Sequence, residues 1–229
     1  MKLSFKQLEK RFTPMPTYRV NIPWDHLEEN LQRYIDRGSN GTAALDLEPD
    51  FQREHVWTPE QQVKYVEYIL SGGMSGREIY FNCVGWMKDW KGPFVIVDGK
   101  QRLHAARLFM DNKLQVFGKK VEVKPCMLAP MGGEEIQDGY FRKDIEGRLS
   151  LNAQFIFAVN DLKTRAEVLK WYLEMNTGGT PHTATEIARV KNLLTSEAPQ
   201  MPHCPMCKGE VELDGSGGYN CFFCGHSFK

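Results

Sequence analysis

The sequence predicts an α+β protein: a mixed α/β core over residues 1–197 and a small cysteine-bearing appendage over residues 202–229. Three observations carry this. Stretches with apolar residues every three or four positions alternate with short apolar runs. That periodicity stops in the proline-containing segment from Ser196 to His203. Four of the six cysteines crowd into the last 26 of 229 residues.

The elements follow in order. Residues 24–37 read as an amphipathic helix, with Leu27, Leu31, Tyr34 and Ile35 on one face and Gly38 as its stop. Thr58-Pro59-Glu60-Gln61 starts a second helix. Thr58 suits the cap, Pro59 the first turn, and Gln61 completes a capping box. Val63, Val66 and Leu70 then share a face until Ser71-Gly72-Gly73. Glu78–Cys83 and Phe94–Val97 read as strands; the second is apolar throughout, as a central strand covered on both faces is. Leu103–Asn112 returns to helical spacing. Val121–Leu128 and Leu151–Val159 are further strands, and Arg165–Met175 and Thr185–Leu194 are helices. Thr183 and Glu186 form a second capping-box pair.

Lys+Arg and Asp+Glu balance at 29 each, so no overall basic field draws the protein to nucleic acid, and contact there needs local patches. No apolar run approaches the ~20 residues that span a bilayer, and no apolar stretch follows the N-terminal Met1-Lys2-Leu3 as in a signal peptide. The expected location is the cytoplasm, including a host cytoplasm for a phage-encoded protein, with no membrane partner.

Cys204-Pro205-Met206-Cys207 and Cys221-Phe222-Phe223-Cys224 are two CxxC knuckles thirteen residues apart. Two intervening residues let both thiolates of a knuckle point at one ion, and Gly225 offers the positive φ such a turn uses. Cys204, Cys207, Cys221 and Cys224 thus predict a closed tetrahedral site for a structural Zn²⁺, which drives folding of a segment too small to build a core. With two basic and three acidic residues in 201–229, the ribbon suits a protein partner as well as DNA.

In Val95-Ile96-Val97-Asp98-Gly99-Lys100-Gln101-Arg102-Leu103 a buried strand runs straight into a helix. Asp98 falls at the carboxyl end of the strand, and Lys100, Gln101 and Arg102 surround a helix N-terminus, where free N–H groups and the helix dipole favour an anion. A Lys and an Arg suit a phosphate, and Asp98 suits Mg²⁺ or the orienting of a nucleophile. An ordinary surface turn has the same outline. Tyr80-Phe81 and Trp86-Met87-Lys88-Asp89-Trp90-Lys91 read as a hairpin with exposed aromatics, alternatively as a base-stacking surface. No Walker A, Gly-x-Ser-x-Gly, His-Glu-x-x-His or dinucleotide fingerprint occurs.

Two further segments change the reading. Pro49-Asp50-Phe51-Gln52-Arg53, with Val56-Trp57, precedes the first of these strands, and Asn176-Thr177-Gly178-Gly179-Thr180-Pro181 lies between the last two helices. Together with the Asp98–Arg102 turn they resemble the N-terminal domains of GmrSD-type modification-dependent restriction enzymes, marked by an Asp-Gly-Gln-Gln-Arg motif after a strand. The resemblance covers residues 45–195, and Lys100 stands where the motif has its first Gln. It implies a ParB/sulfiredoxin-like fold, a nucleoside triphosphate with Mg²⁺, and work on DNA in restriction, DNA modification or its evasion. It also implies that Asp98, Gly99, Lys100, Gln101 and Arg102 bind the nucleotide, that Gln52 and Arg53 face them, and that Asn176, Thr177, Gly178 and Gly179 close the rim. Asp98, Arg102, Gln52 and Arg53 become the catalytic candidates; on the residues alone, Arg53 also fits a buried arginine paired with a core carboxylate. The family's His-Asn-His nuclease module has no counterpart among the six histidines, and the ribbon stands in its place.

Three functions are therefore expected, in order: a nucleoside triphosphatase or phosphotransferase, a non-catalytic DNA- or protein-binding module, and a ParB-like nuclease.

Overall fold

The computed structural model describes residues 12–37, 44–90, 92–123, 133–149, 153–176, 184–197, 204–208, 211–213, 218–221 and 224–228. Its main sheet has five strands in the order β1-β7-β3-β4-β2: β1 (Tyr18–Pro23), β2 (Leu45–Asp46), β3 (Glu78–Cys83), β4 (Phe94–Asp98) and β7 (Gln154–Asn160). The sheet is mixed. β3 runs parallel to β7 and β2 parallel to β4, while β1–β7 and β3–β4 pair antiparallel.

Alternation along β4 sorts the protein into layers. Phe94 and Ile96 enter one apolar cluster with Leu27 and Leu31 of α1 (Leu27–Asp36), Val66 and Ile69 of α2 (Pro59–Leu70), and Leu103 and Phe109 of α3 (Lys100–Met110). Val97 enters a second cluster with Val168, Leu169 and Tyr172 of α4 (Arg165–Asn176) and Val190 of α5 (Ala184–Glu197). Helices thus cover both faces, and the strand reads as unbroken apolar sequence because both sets of its side chains are buried. It is interior but off-centre, with only the two-residue β2 beyond it.

The α2 start is as the sequence predicts: Thr58 accepts from Gln61 N, the Gln61 side chain accepts from Thr58 N, and Pro59 opens the helix. The buried face adds Ile69 and Gln62 to the expected Val66. Three expectations need correcting. The Val121–Leu128 strand is β5 (Lys119–Val123); it pairs with β6 (Gly133–Gln137) in a separate two-stranded ribbon, and 124–128 lie outside the described residues. Helix α3 ends at Met110 rather than Asn112, though it opens at Lys100, directly after the strand, as the Asp98-Gly99 turn predicts. The aromatics between β3 and β4 are not exposed: Trp86 is buried and stacks on Trp90 with centroids 3.9 Å apart, and Arg37 covers the Trp90 ring at 3.6 Å. The hairpin is real, but Trp86 is enclosed by Trp90 stacked on it and by Tyr34 and Phe94 in edge contact, so it offers no open surface to a base. Gly38, Thr183 and residues 151–152 fall outside the described residues.

Candidate functional site

The β4–α3 junction is built around Gly99, which adopts φ +98° and serves as N-cap with no side chain capping the helix. Only glycine occupies that conformation without strain. A Cβ there would also meet Ile79 Cδ1 at 2.6 Å and Ile79 Cα at 3.3 Å. Gly99→Ala is therefore expected to destabilise the protein by about 2 kcal/mol or more, combining backbone strain with overpacking. A fall in the urea midpoint at unchanged slope checks this.

The Pro49–Arg53 segment is held to the same place by contacts spread along the chain. Asp50 takes a two-oxygen contact from Arg165 Nη2, at 2.8 and 2.7 Å, from the start of α4. Phe51 is buried edge-on against Tyr172, with centroids 5.3 Å apart. Gln52 is buried and donates through Nε2 to the Ile96 carbonyl at 2.8 Å, satisfying a strand group beyond the reach of the short β2. Arg189 of α5 donates to the carbonyls of Phe51 and Gln52 at 3.2 and 3.0 Å. Arg53 lies 3.6 Å from Glu186, both partly buried. The alternative of an arginine paired with a carboxylate is thus met in part; the partner sits at the edge of α5, not in the core.

These segments meet in one cleft of about 340 Å³, lined by Gln52 and Arg53, by Trp57, by Val97 and Asp98–Arg102, and by Tyr172, Met175 and Asn176 at the end of α4. Its volume lies at the lower end of the range for small-molecule sites, roughly 300–1,000 Å³. Asp98 and Arg102 form an ion pair one helical turn apart, with 34 % and 19 % of their side chains exposed, so both remain reachable. Burial pushes the Tyr172 hydroxyl up to about 12, leaving it a neutral donor at ordinary pH. Asn176 donates back to the Tyr172 carbonyl at 2.7 Å and marks the rim.

A model of the GmrSD restriction endonuclease N-terminal domain matches residues 31–194, more than two thirds of the chain. The chain belongs to the GmrSD N-terminal domain family. Membership connects it with DNA restriction. No curated protein and no solved structure matches it.

Within this GmrSD-family domain the motif residues divide their labour in a way the sequence did not reveal. Lys100 lines the cleft, but its ammonium is buried against Glu48 and donates to the Arg53 carbonyl at 3.2 Å. The extra positive charge expected beside a phosphate is therefore balanced by Glu48. Gln101 accepts from Val56 N and Trp57 N at 3.0 and 3.2 Å and donates to the Glu54 carbonyl at 3.0 Å. Its amide clamps the 54–57 loop. Asp98, Arg102 and Arg53 carry the charged groups that face the open cleft. Thr177, Gly178 and Gly179 lie outside the described residues. Tyr172, Met175, Arg165, Glu186 and Arg189 were not proposed for the site from sequence, and Trp57 entered only as part of the segment that follows Arg53; the contacts that bring them together span dozens of residues.

Beyond the matched residues, the four ribbon sulfurs lie within 4.8 Å of one another, the one group of three or more ligating side chains found among the described residues. Cys204 and Cys224 sulfurs are 3.6 Å apart and those of Cys207 and Cys221 3.4 Å, far beyond the ~2.05 Å of a disulfide. Tetrahedral thiolates around zinc at ~2.3 Å stand roughly 3.8 Å apart, so the cluster fits such an ion. His226 is no member of the group and instead stacks on Phe228. Each knuckle ends in a positive-φ residue, Gly225 at +70° as expected and Lys208 at +61° in the equivalent place. β8 (Val211–Leu213), β9 (Tyr219–Cys221) and β10 (Ser227–Phe228) form the ribbon's sheet in the order β10-β9-β8.

No described helix is long and apolar enough to cross a membrane.

Proposed function

We propose that the cleft binds a nucleoside triphosphate with Mg²⁺ and hydrolyses it, or transfers its phosphoryl group, in the service of DNA restriction. One observation carries this reading: two arginines, Arg53 and Arg102, flank Asp98 at the N-terminus of an α-helix with no side-chain cap. Cations, an open helix start and a single reachable carboxylate are the groups a metal-bound polyphosphate requires.

Asp98 would hold the cation, which would supply neutralisation of the charge on the phosphate oxygens. Binding releases Arg102 from Asp98, and its guanidinium turns to the phosphates. Arg53, loosely paired with Glu186, supplies the second charge-assisted contact from the opposite wall. Gly99 brings backbone to the ligand without a side chain in between. Gln52 and Gln101 act by position, fixing the end of β4 and the 54–57 loop, because their amides are already engaged. Lys100 holds the Arg53 backbone in place. Asn176 stands at the rim; Thr177, Gly178 and Gly179, which the resemblance adds to it, lie outside the described residues.

Isothermal titration with each common nucleoside triphosphate and Mg²⁺, followed by phosphate release, tests the reading. Saturable binding with release is expected; no binding of any nucleotide removes it. Binding without release would favour the non-catalytic module instead. That alternative is favoured by the charges being paired within the protein, Asp98 with Arg102 and Arg53 with Glu186. Partner recruitment through the zinc ribbon belongs to the same alternative.

A further inference from the structure

Trp57 and Arg102 line a second concavity, on the outer side of α2, that the nucleotide reading does not use. It encloses about 520 Å³ between Trp57, Gln61, Lys64, Tyr65, Tyr68, Ser75, Gly76 and Arg102. Four of these, Gln61, Lys64, Tyr65 and Tyr68, recur at helical spacing and form one stripe. The adjoining stripe, Gln62, Val66 and Ile69, is the buried one.

The tyrosines are fixed by their tips. Tyr65 donates its hydroxyl to the Gly76 carbonyl at 2.8 Å, and the Tyr68 hydroxyl meets Ser75 Oγ at 2.7 Å while accepting from Ser75 N at 3.1 Å. The Tyr68 ring lies so close over Gly73 that a Cβ there would sit 2.4 Å from it. With the hydroxyls occupied, the shelf offers ring faces rather than hydrogen bonds. Trp57 and Tyr65 stand 5.4 Å apart, and Tyr68 is 45 % exposed. The lining holds two basic side chains and no acidic one; Arg102 is paired with Asp98 from the neighbouring cleft, which leaves Lys64 as the shelf's own cation.

We propose that this shelf seats an unstacked base of a DNA strand, with Lys64 meeting the backbone phosphate. Every base has a π-face, so aromatic rings beside cations bind strands without reading their sequence. Lys64 beside the exposed rings, with no carboxylate in the lining, favours a polyanion over an apolar peptide, and membership of a restriction-endonuclease family makes DNA the polyanion at hand. Because Trp57 and Arg102 also line the cleft, a strand on the shelf alters the wall of the nucleotide site.

The test uses the full zinc-loaded chain, a short fluorescent oligothymidylate and an abasic oligonucleotide of equal length, read by anisotropy. The abasic strand is expected to bind about tenfold or more weakly, and Tyr68→Leu to lower oligothymidylate affinity by a similar factor. Tyr68→Phe should retain it, since the ring stays. Lys64→Gln should reduce the slope of log affinity against log salt by about 0.7. Magnesium-nucleotide binding, measured alongside, should be unchanged in Tyr68→Leu, showing an intact fold and separating this result from the fate of the nucleotide reading. Should no nucleotide bind even the wild-type chain, a cooperative urea transition retained by Tyr68→Leu serves as the fold control. Equal affinity for both strands, an unaffected Tyr68→Leu variant, or no oligonucleotide binding overturns the proposal. So does a Tyr68→Leu variant that loses nucleotide but keeps oligothymidylate, since the shelf would then hold the nucleotide's own base.

Discussion

Replacing Cys221 with serine, or stripping the metal with a strong chelator, is expected to unfold residues 204–228. The apolar cluster there consists of Cys204, Val211 and Cys221 with Tyr219 and Phe228 packed against it, and two of its three buried members belong to the four-cysteine group that could hold the ion. Strands of three, three and two residues offer few hydrogen bonds to replace it. Structural zinc in such small modules contributes about 10–16 kcal/mol at neutral pH, far more than this cluster. Metal analysis should find one zinc per wild-type chain and far less in the variant. Hydrogen exchange should then lose protection over 204–228 while residues 94–110, inside the main core, keep theirs. An unchanged exchange pattern in metal-free protein would show that the ribbon does not depend on its ion.

Substitutions at Asp98 and Arg102 are expected to move nucleotide binding in different ways, because the two groups now neutralise each other. Arg102→Ala removes a charge-assisted contact to phosphate and should weaken binding by about 10- to 150-fold. Asp98→Ala removes the seat of the cation but also frees Arg102. Its affinity should become insensitive to Mg²⁺, while affinity measured without Mg²⁺ holds or rises. The pair is partly exposed, so breaking it should cost about 1 kcal/mol of stability or less and leave the fold intact. Titrations with and without Mg²⁺ separate these outcomes. A parallel loss in both variants, whatever the metal, would mean that Asp98 serves only to hold Arg102 in place.

Much of this was legible in the residues because the signals are local. The α2 capping box lies within four consecutive positions, and each CxxC knuckle likewise. The strand–glycine–helix turn at Asp98-Gly99 shows in composition because the φ of Gly99 admits little else. What escaped the sequence is long-range. β2 is two residues long and can show no periodicity. β1 has only Ile22 fully buried, and its place at the sheet edge depends on pairing with β7 far along the chain. Trp86 looks like a surface residue among Lys and Asp, yet Tyr34 from α1 reaches it. The working roles of Gln52, Lys100 and Gln101 were hidden for the same reason: their partners Ile96, Glu48 and Glu54–Trp57 lie more than forty residues away.

The division of the interior by β4 has a consequence for how the protein answers a ligand. The floor of the cleft, Asp98 to Arg102, opens the helix packed into one half-core, whereas Tyr172 and Met175 belong to the other. A molecule lodged between them acts as a rivet, adding to the few polar links, such as Arg53 to Glu186, that already join the two compartments. Occupancy should be felt well away from the cleft, as slower opening of α4 and α5, so that the protein's rigidity itself becomes a gauge of whether the seat is filled.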